Sequence, residues 1–214
     1  MTEAAPTRRP RRSQAERTAD TRGRIIQAAI SCLDKAGYSA TTITTVADEA
    51  GVSRGAVTHQ FPVKTDLMLA VVQWVFDNDA DLYERSIVDS DPRRWLAEMP
   101  ELMWSVISRP SGTAVTEIML ASRSIPELAE QLRVLQKQIA RQAHQWSAER
   151  VKAAGLVSHP DGAALHELYV AAVRGLAVQA TCMDDRDGVH RSLRLLSQMM
   201  RQFYPELAQS MEEK

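Results

Sequence analysis

The sequence predicts an all-α protein. Apolar residues recur every three to four positions along most of the 214-residue chain, which is the spacing of one face of a helix. No segment shows the alternation of apolar and polar residues that is typical of a strand, and no internal repeat is apparent. Glycine and proline fall between the apolar stretches, so they mark the ends of successive helices.

The first three helices are expected close together. Helix 1 is expected from about Thr21, where the apolar period begins, to Gly37, which ends it. Thr41-Thr42 offers side-chain caps for helix 2, and Gly51 stops that helix after about two turns. Helix 3 is expected over residues 53–60, with the serine at its start as the cap.

Longer helices follow toward the C-terminus. Pro62 is expected to end helix 3, and helix 4 is expected after it, to about Ser86. Helix 5 is expected from near Trp95, with Pro100 either kinking it or marking its true start. A turn is expected at 110–112, where proline, serine and glycine follow one another. Four more helices are expected over 113–122, 126–154, 163–181 and 188–203.

The charge of the chain is unevenly distributed. The net charge is −1, but residues 1–64 hold ten Lys and Arg against six Asp and Glu, giving +4, and the remainder carries −5. A polyanion is therefore expected to bind at the N-terminal end, although a solvated basic tail gives the same balance. Residues 1–17 are expected to form a disordered arm. Its basic residues either reach a DNA minor groove or bind nothing specific: Arg8, Arg9, Arg11 and Arg12.

Several classes of protein are not expected. Cys32 and Cys182 lie far apart in apolar helical patterns, so they are expected to be reduced thiols rather than a disulfide or a metal site. No apolar run suits a membrane span or a secretion signal, so a soluble, cytoplasmic protein associated with the nucleoid is expected. His166 and Glu167 begin a zinc-protease motif, but Val170 stands where the second histidine belongs. No metal, cofactor or catalytic residue is therefore expected, and a small helical enzyme is a remote alternative.

Residues 43–60 fit a helix-turn-helix. Ala47 is small where two helices cross closely, and Gly51 follows four residues later, where a positive φ is needed. Val52 and Val57 supply a shared core. A helical hairpin with no DNA role is the alternative. The candidate DNA contacts are Arg54, Thr58, His59 and Gln60 toward the bases of a major groove, and Thr44, Thr45, Ser53 and Lys64 toward phosphates.

This segment resembles the TetR family of transcription regulators. The resemblance covers residues 24–69 and rests on an apolar first helix followed by GY at 37–38, TTI at 41–43, VADEAGVSRG at 46–55 and HQFPVKTDL at 59–67. Thr58 and Gln60 depart from the family, which often has Tyr and His there, and they bear on which bases are preferred. The resemblance implies DNA contacts at Thr44, Ser53, Arg54, Gly55, Thr58, His59 and Lys64, nearly the set chosen on physical grounds.

The resemblance also implies an architecture. It implies an Ω-shaped homodimer with nine to ten helices in each chain. A three-helix head at 18–65 would bind double-stranded DNA, and a domain at 66–214 would bind a ligand and dimerise. Tyr38 and Phe61 are expected to be packing residues of the head. A twofold dimer presents two recognition helices, so a near-palindromic operator is expected.

The last two predicted helices are the expected dimer interface. Small residues there permit close approach of helices, and an apolar stripe lies beside them. A purely intramolecular core is the alternative. The candidate interface residues are Ala172, Gly175, Leu176, Leu193, Leu196 and Met200.

A pocket for a bulky hydrophobic effector is expected in the C-terminal domain, although its residues also suit a plain core. The candidates are Trp95, Met99, Met103, Trp104, Ile107, Met119, His144, Trp146 and Tyr169. In the family's mechanism, an effector pulls helix 4 relative to helix 1, and the recognition helices lose their spacing of about 34–36 Å. A repressor released by a small molecule is therefore expected; an activator or a partner-regulated sensor is the alternative.

Overall fold

The computed structural model describes residues 14–87, 91–183 and 185–209. These residues form helices joined by short turns, with no strand among them, which confirms the all-α prediction. The helices are α1 Gln14–Ala40, α2 Ile43–Ala50, α3 Arg54–Gln60, α4 Lys64–Ile87, α5 Pro92–Ala97, α6 Met99–Ile107, α7 Pro110–Ser122, α8 Pro126–Ala153, α9 Gly162–Cys182, α10 Arg186–Phe203 and α11 Glu206–Gln209.

The first helix is longer than predicted. Because α1 begins at Gln14, the expectation of a disordered arm up to residue 17 is wrong for residues 14–17. Gln, Ala, Glu and Arg all favour a helix. This turn is exposed at Glu16 and Arg17, so no apolar period marks it in the sequence. The rest of the predicted arm lies outside the described residues, with Arg8, Arg9, Arg11 and Arg12.

Pro100 and Pro110 both lie in the first turns of helices. Pro100 lies at the start of α6, and α5 is a separate helix, so Pro100 marks a helix start rather than a kink. Pro110, Ser111 and Gly112 form the first turn of α7, so the turn predicted there is wrong. Proline suits this position because the N–H that it lacks would have no helical acceptor.

The helices pack around two hydrophobic cores. The first core joins α1, α2, α3, α4, α7 and the N-terminal half of α8, with Ile25, Val57 and Ile118 fully buried. The second core joins α5, α6, the C-terminal end of α8, α9 and α10. Leu207 of α11, a helix that the sequence does not predict, also belongs to the second core. The helices of the predicted head therefore share a core with α4, α7 and α8.

Membrane-spanning helices and clusters of metal ligands are both absent from the part of the chain that the structure describes. None of its helices combines the length and apolarity needed to cross a membrane. Within the same residues, no three His, Cys, Asp or Glu side chains are grouped as metal ligands. Cys32 and Cys182 are both free thiols.

Candidate nucleic-acid interface

Two threonines close the N-terminus of α2. The Thr45 N–H donates to Thr42 Oγ1 at 3.1 Å, and the Thr42 N–H donates to Thr45 Oγ1 at 2.8 Å. This reciprocal capping box satisfies backbone donors that have no acceptor within the helix, and it confirms the predicted cap. Thr45, a candidate phosphate contact, is thereby engaged within the helix, whereas Thr44 is exposed.

Gly51 forms the turn between α2 and α3. Its φ of 63° and ψ of 42° lie in the left-handed region, which glycine adopts without the steric cost of a Cβ. The Val52 N–H donates to the Ala47 carbonyl at 3.0 Å, which completes the helix end. Arg24 of α1 donates to the Ala50 carbonyl at 2.6 Å. The turn therefore has the positive φ that the sequence predicts, and it is tied to α1.

The predicted recognition helix is α3. The Ala56 N–H donates to Ser53 Oγ at 3.1 Å, so Ser53 caps the helix as expected. Val57 is fully buried and Phe61, which directly follows α3, is 1% exposed. These two side chains anchor the helix in the first core, and the position of Phe61 confirms its packing role.

The opposite side of α3 faces solvent. Arg54, Gly55 and His59 are exposed, and the side chains of Arg54 and His59 make no hydrogen bond or ion pair with any part of the chain that the structure describes. Thr58 Oγ1 donates within the helix, 3.2 Å from the carbonyl oxygens of Arg54 and Gly55. Gln60 is half-buried. A firmly anchored helix thus presents two unpaired polar side chains, as contacts with base edges require.

Lys64 is engaged within the protein. Its Nζ donates to the Tyr38 carbonyl at 2.7 Å and lies 3.8 Å from the centroid of the Tyr38 ring. Burial lowers the pKa of Lys64. A phosphate contact by this lysine would compete with its bond to Tyr38.

Two arginines that the sequence prediction missed lie on α1 beside the helix-turn-helix. The Arg22 guanidinium lies 4.4 Å from the centroid of the Phe61 ring, and the Arg24 guanidinium donates to the Ala50 carbonyl at the turn between α2 and α3. Both are exposed and add positive charge next to α3. Basic residues before an apolar helix are common on solvated surfaces, so no local pattern distinguishes this pair.

Most predicted effector residues meet in the second core. Met119 lies elsewhere, against the first core. His144 also lies apart; its Nε2 is 3.3 Å from Glu167 Oε1, close enough for an ion pair once the imidazole is protonated but not aligned for a hydrogen bond. The others are buried in the second core or pack against it: Trp95, Met99, Met103, Trp104, Ile107, Trp146 and Tyr169.

Polar groups without partners lie near these aromatic residues. The rings of Tyr83 and Trp146 are in contact, with centroids 5.7 Å apart. One turn earlier on α4, Asp79 Oδ1 is buried and accepts no hydrogen bond from the described residues. Burial raises the pKa of Asp79 to about 7, although the charge of Arg109 opposes the shift. Burial lowers the pKa of Arg174, which has no ion pair within the described chain.

The predicted interface residues are divided between the core and the surface. Leu193 and Met200 are buried in the second core, and Leu176 and Leu196 pack against it. Ala172 is half-buried, whereas Gly175 is exposed. The large apolar side chains that α9 and α10 expose are different ones: Leu168 at 53%, Val178 at 44%, Leu195 at 58% and Phe203 at 38%.

The helix-turn-helix matches a known family. Residues 25–71 match the family described as bacterial regulatory proteins, tetR family. The HTH-type transcriptional regulator CymR from Pseudomonas putida is 46% identical over 67 residues, which is 31% of this chain and 33% of CymR. The match therefore spans about a third of the length of that relative.

Solved structures of similar fold cover most of the chain. Salmonella enterica GusR superposes with a TM-score of 0.67 at 19% identity, covering 86% of this chain and 95% of GusR. A putative transcriptional regulator from Saccharomonospora viridis, solved in complex with choline, gives the same TM-score and identity over 86% of this chain and 96% of that one. At these identities the likeness concerns the fold alone, and it agrees with the all-α fold of the described residues.

Proposed function

Because residues 25–71 match the tetR family of bacterial regulatory proteins, we propose that the chain is a sequence-specific DNA-binding transcriptional regulator of that family. That family is one of regulators and not of enzymes. The observation that carries the proposal is the geometry of α3, which Val57 and Phe61 anchor while Arg54 and His59 stay exposed and unpaired. In this proposal the regulator works on DNA in the cytoplasm, at the nucleoid.

Each part of the interface has a proposed role. Base edges are contacted by the solvent face of α3, and phosphates are bound around the N-termini of α2 and α4. Residues 18–65 form the DNA-binding unit, and 66–214 bind the effector and the second chain. The proposed contacts are Arg54, Gly55, Thr58, His59 and Gln60 in the major groove, and Thr44, Ser53 and Lys64 on the phosphates.

The experiment that tests the function is footprinting of the full-length protein on the DNA that flanks its own gene, at two salt concentrations, followed by selection from random-sequence DNA. Sequence-selective protection of a near-palindrome is expected, with affinity that falls as salt rises. Failure to enrich any sequence from the random pool would overturn the proposed function.

The proposed regulator is a homodimer that uses α9 and α10. Leu168, Ala171, Gly175 and Val178 follow one another at helical spacing along one exposed face of α9, and Leu195 lies on the exposed side of α10. Two copies of this face would form a four-helix contact about a twofold axis. The interface thus involves the solvent side of α10, while Leu193 and Met200 on its other side stabilise the chain's own core.

Charge placed on this face is expected to separate the dimer. In the double variant Leu168→Glu/Leu195→Glu, a dimer would bury four carboxylates, two from each chain, without partners in the interface. The variant should therefore sediment as a monomer, whereas the wild type sediments as a dimer. Sedimentation velocity measures this. The matched control is Val134→Glu/Val157→Glu, at side chains that are 67% and 84% exposed on other segments, and it should remain a dimer. A monomeric wild type, or a variant that stays dimeric, would contradict the assignment.

We infer that the regulator is a repressor and that a small molecule releases it from DNA. The small molecule binds in the second core, near Trp95, Met103 and Tyr169. Seven of the predicted effector residues meet there, and the S. viridis protein of similar fold was solved with choline. Asp79 Oδ1, which accepts no hydrogen bond, and Arg174, which has no ion pair within the described chain, lie beside this region. They favour an effector that carries a polar group in addition to an apolar body.

The buried Asp79 predicts a measurable pH dependence. Its pKa of about 7 in the folded state lies above the unfolded value, so its protonation favours folding, and its contribution to stability falls as pH rises from about 4 to about 7. Asp79→Asn keeps the neutral form at every pH. The free energy of unfolding of the variant, relative to that of the wild type, should therefore increase by about 1–2 kcal/mol as pH rises from about 5.5 to about 8.5. Urea unfolding at several pH values measures this, with Asp81→Asn, an exposed position on α4, as a control that gains nothing.

A further inference from the structure

A break near the end of α1 brings the last residues of that helix, which lead into the helix-turn-helix, into contact with α7. Gly37 has φ 74° and ψ 176°, which interrupts the helix just before Tyr38. The Tyr38 N–H donates to Glu117 Oε2 of α7 at 2.9 Å, across 79 positions of sequence. A Cβ at position 37 would lie only 3.0 Å from the same carboxylate oxygen, so glycine is needed both for the backbone angle and for the room.

Tyr38 is also in contact with Lys64. Its carbonyl accepts the bond from Lys64 Nζ at the start of α4, and its ring lies beneath that ammonium group. Tyr38 therefore joins α1, α4 and α7 through its N–H, its carbonyl and its ring. No other element supplies a carboxylate to this backbone among the described residues.

The connection from Tyr38 to the recognition unit is short and fixed. The buried hydroxyl of Thr41 donates to the Gly37 carbonyl at 2.8 Å. The next residue, Thr42, caps α2, and α2 leads through the Gly51 turn into α3. A displacement of the Tyr38 backbone would therefore move the N-terminus of α2.

The helix that carries Glu117 contacts both parts of the protein. α7 packs against α1, α4 and α8, which share the first core, and also against α6 and α9, which belong to the second. Val115 and Ile118 are buried in the first core, so α7 is firmly placed beside the head. A bond between a charged acceptor and a backbone N–H is stronger than a neutral one, which suits it to fix an orientation.

We propose that Glu117 is a positioning residue for operator binding: its carboxylate, bonded to the Tyr38 N–H, holds the start of α2 in the orientation in which α3 contacts DNA. The inference rests on the proposed function, because it concerns the affinity for an operator. Glu117 touches no DNA itself, and it acts through Tyr38 and α2. Loss of its carboxylate leaves the recognition side chains unchanged but allows the helix-turn-helix to turn away from α7.

The test compares the full-length wild type with Glu117→Ala, Glu117→Gln and Glu130→Ala. Glutamine keeps an acceptor oxygen at the same place, and Glu130 is an exposed carboxylate on α8. Operator affinity is measured on the sequence selected by the wild type, with the active protein fraction determined for each variant. We expect about a tenfold loss for Glu117→Ala, a return to within about threefold for Glu117→Gln, and no change for Glu130→Ala. The salt dependence should be unaltered in all, because no phosphate contact is removed.

Hydrogen exchange provides a second measurement that needs no DNA. In Glu117→Ala, exchange should rise at least about tenfold at the amides of Tyr38 and at Val46 of α2, whose N–H bonds to the Thr42 carbonyl. Wild-type affinity in Glu117→Ala, or faster exchange confined to Tyr38, would overturn the positioning role. If the wild type itself selects no DNA sequence, the proposed function fails, and exchange at α2 alone then decides whether Glu117 positions this helix.

Discussion

Replacing both Arg54 and His59 with alanine is expected to lower operator affinity by at least about a hundredfold, because each side chain lost from a base edge removes roughly 1–3 kcal/mol of discrimination. Both residues are exposed on α3 and unpaired in the described protein, and alanine is a stronger helix former than either. The loss should therefore appear in binding and not in folding. Competition between the selected operator and random DNA measures it, and circular dichroism checks the fold.

A matched control separates recognition from a change in net charge. Arg133→Ala/His190→Ala removes the same two residue types from exposed positions on α8 and α10. This control should bind the operator as the wild type does. If the Arg54/His59 variant kept its preference for operator over random DNA within about threefold, α3 would not be the reading element.

Replacing Phe61 with alanine is expected to cost about 3–5 kcal/mol in the free energy of unfolding, the usual range for a buried phenylalanine. The side chain is 1% exposed, and Arg22 lies over its ring, so truncation leaves a cavity where α3 meets the first core. Urea unfolding measures the loss. The neighbouring Val63→Ala, at a side chain that is 49% exposed, should cost less than about 0.5 kcal/mol.

The Phe61 variant also tests the division of roles around α3. Below its melting temperature, the folded fraction should bind operator DNA with affinity close to that of the wild type, because Arg54 and His59 are retained. A Phe61→Ala protein with normal stability but lost DNA binding would contradict the packing role and make the aromatic ring a DNA contact.

The helix-turn-helix could be predicted because its determinants are local. Thr42, Gly51 and Ser53 each act on backbone groups within four residues of themselves, and all three have the caps or the φ that the sequence indicates. The start of α1 could not be predicted, because its first turn is exposed and so gives no apolar period. Periodicity identifies a helix only where one face is buried.

Contacts between distant segments could not be predicted in this way. Leu193 and Leu195 are two positions apart on α10, yet Leu193 is 2% exposed and Leu195 is 58% exposed. An apolar stripe shows that a helix has a buried face, but it does not show what covers that face. The bond between Tyr38 and Glu117 has no local pattern at all, because it depends on how α1 packs against α7.

The shared first core limits how freely this protein can be recombined. Val57 and Phe61 pack in the same core as Ala114, Ile118 and Leu128, which belong to α7 and α8. A recognition unit cut out near residue 65 would leave that apolar surface in water, and one grafted onto another body would meet a differently shaped α7. DNA specificity is therefore changed most simply by substituting single exposed residues of α3. A recognition unit that is transferred to another protein would have to include α4, α7 and the first half of α8.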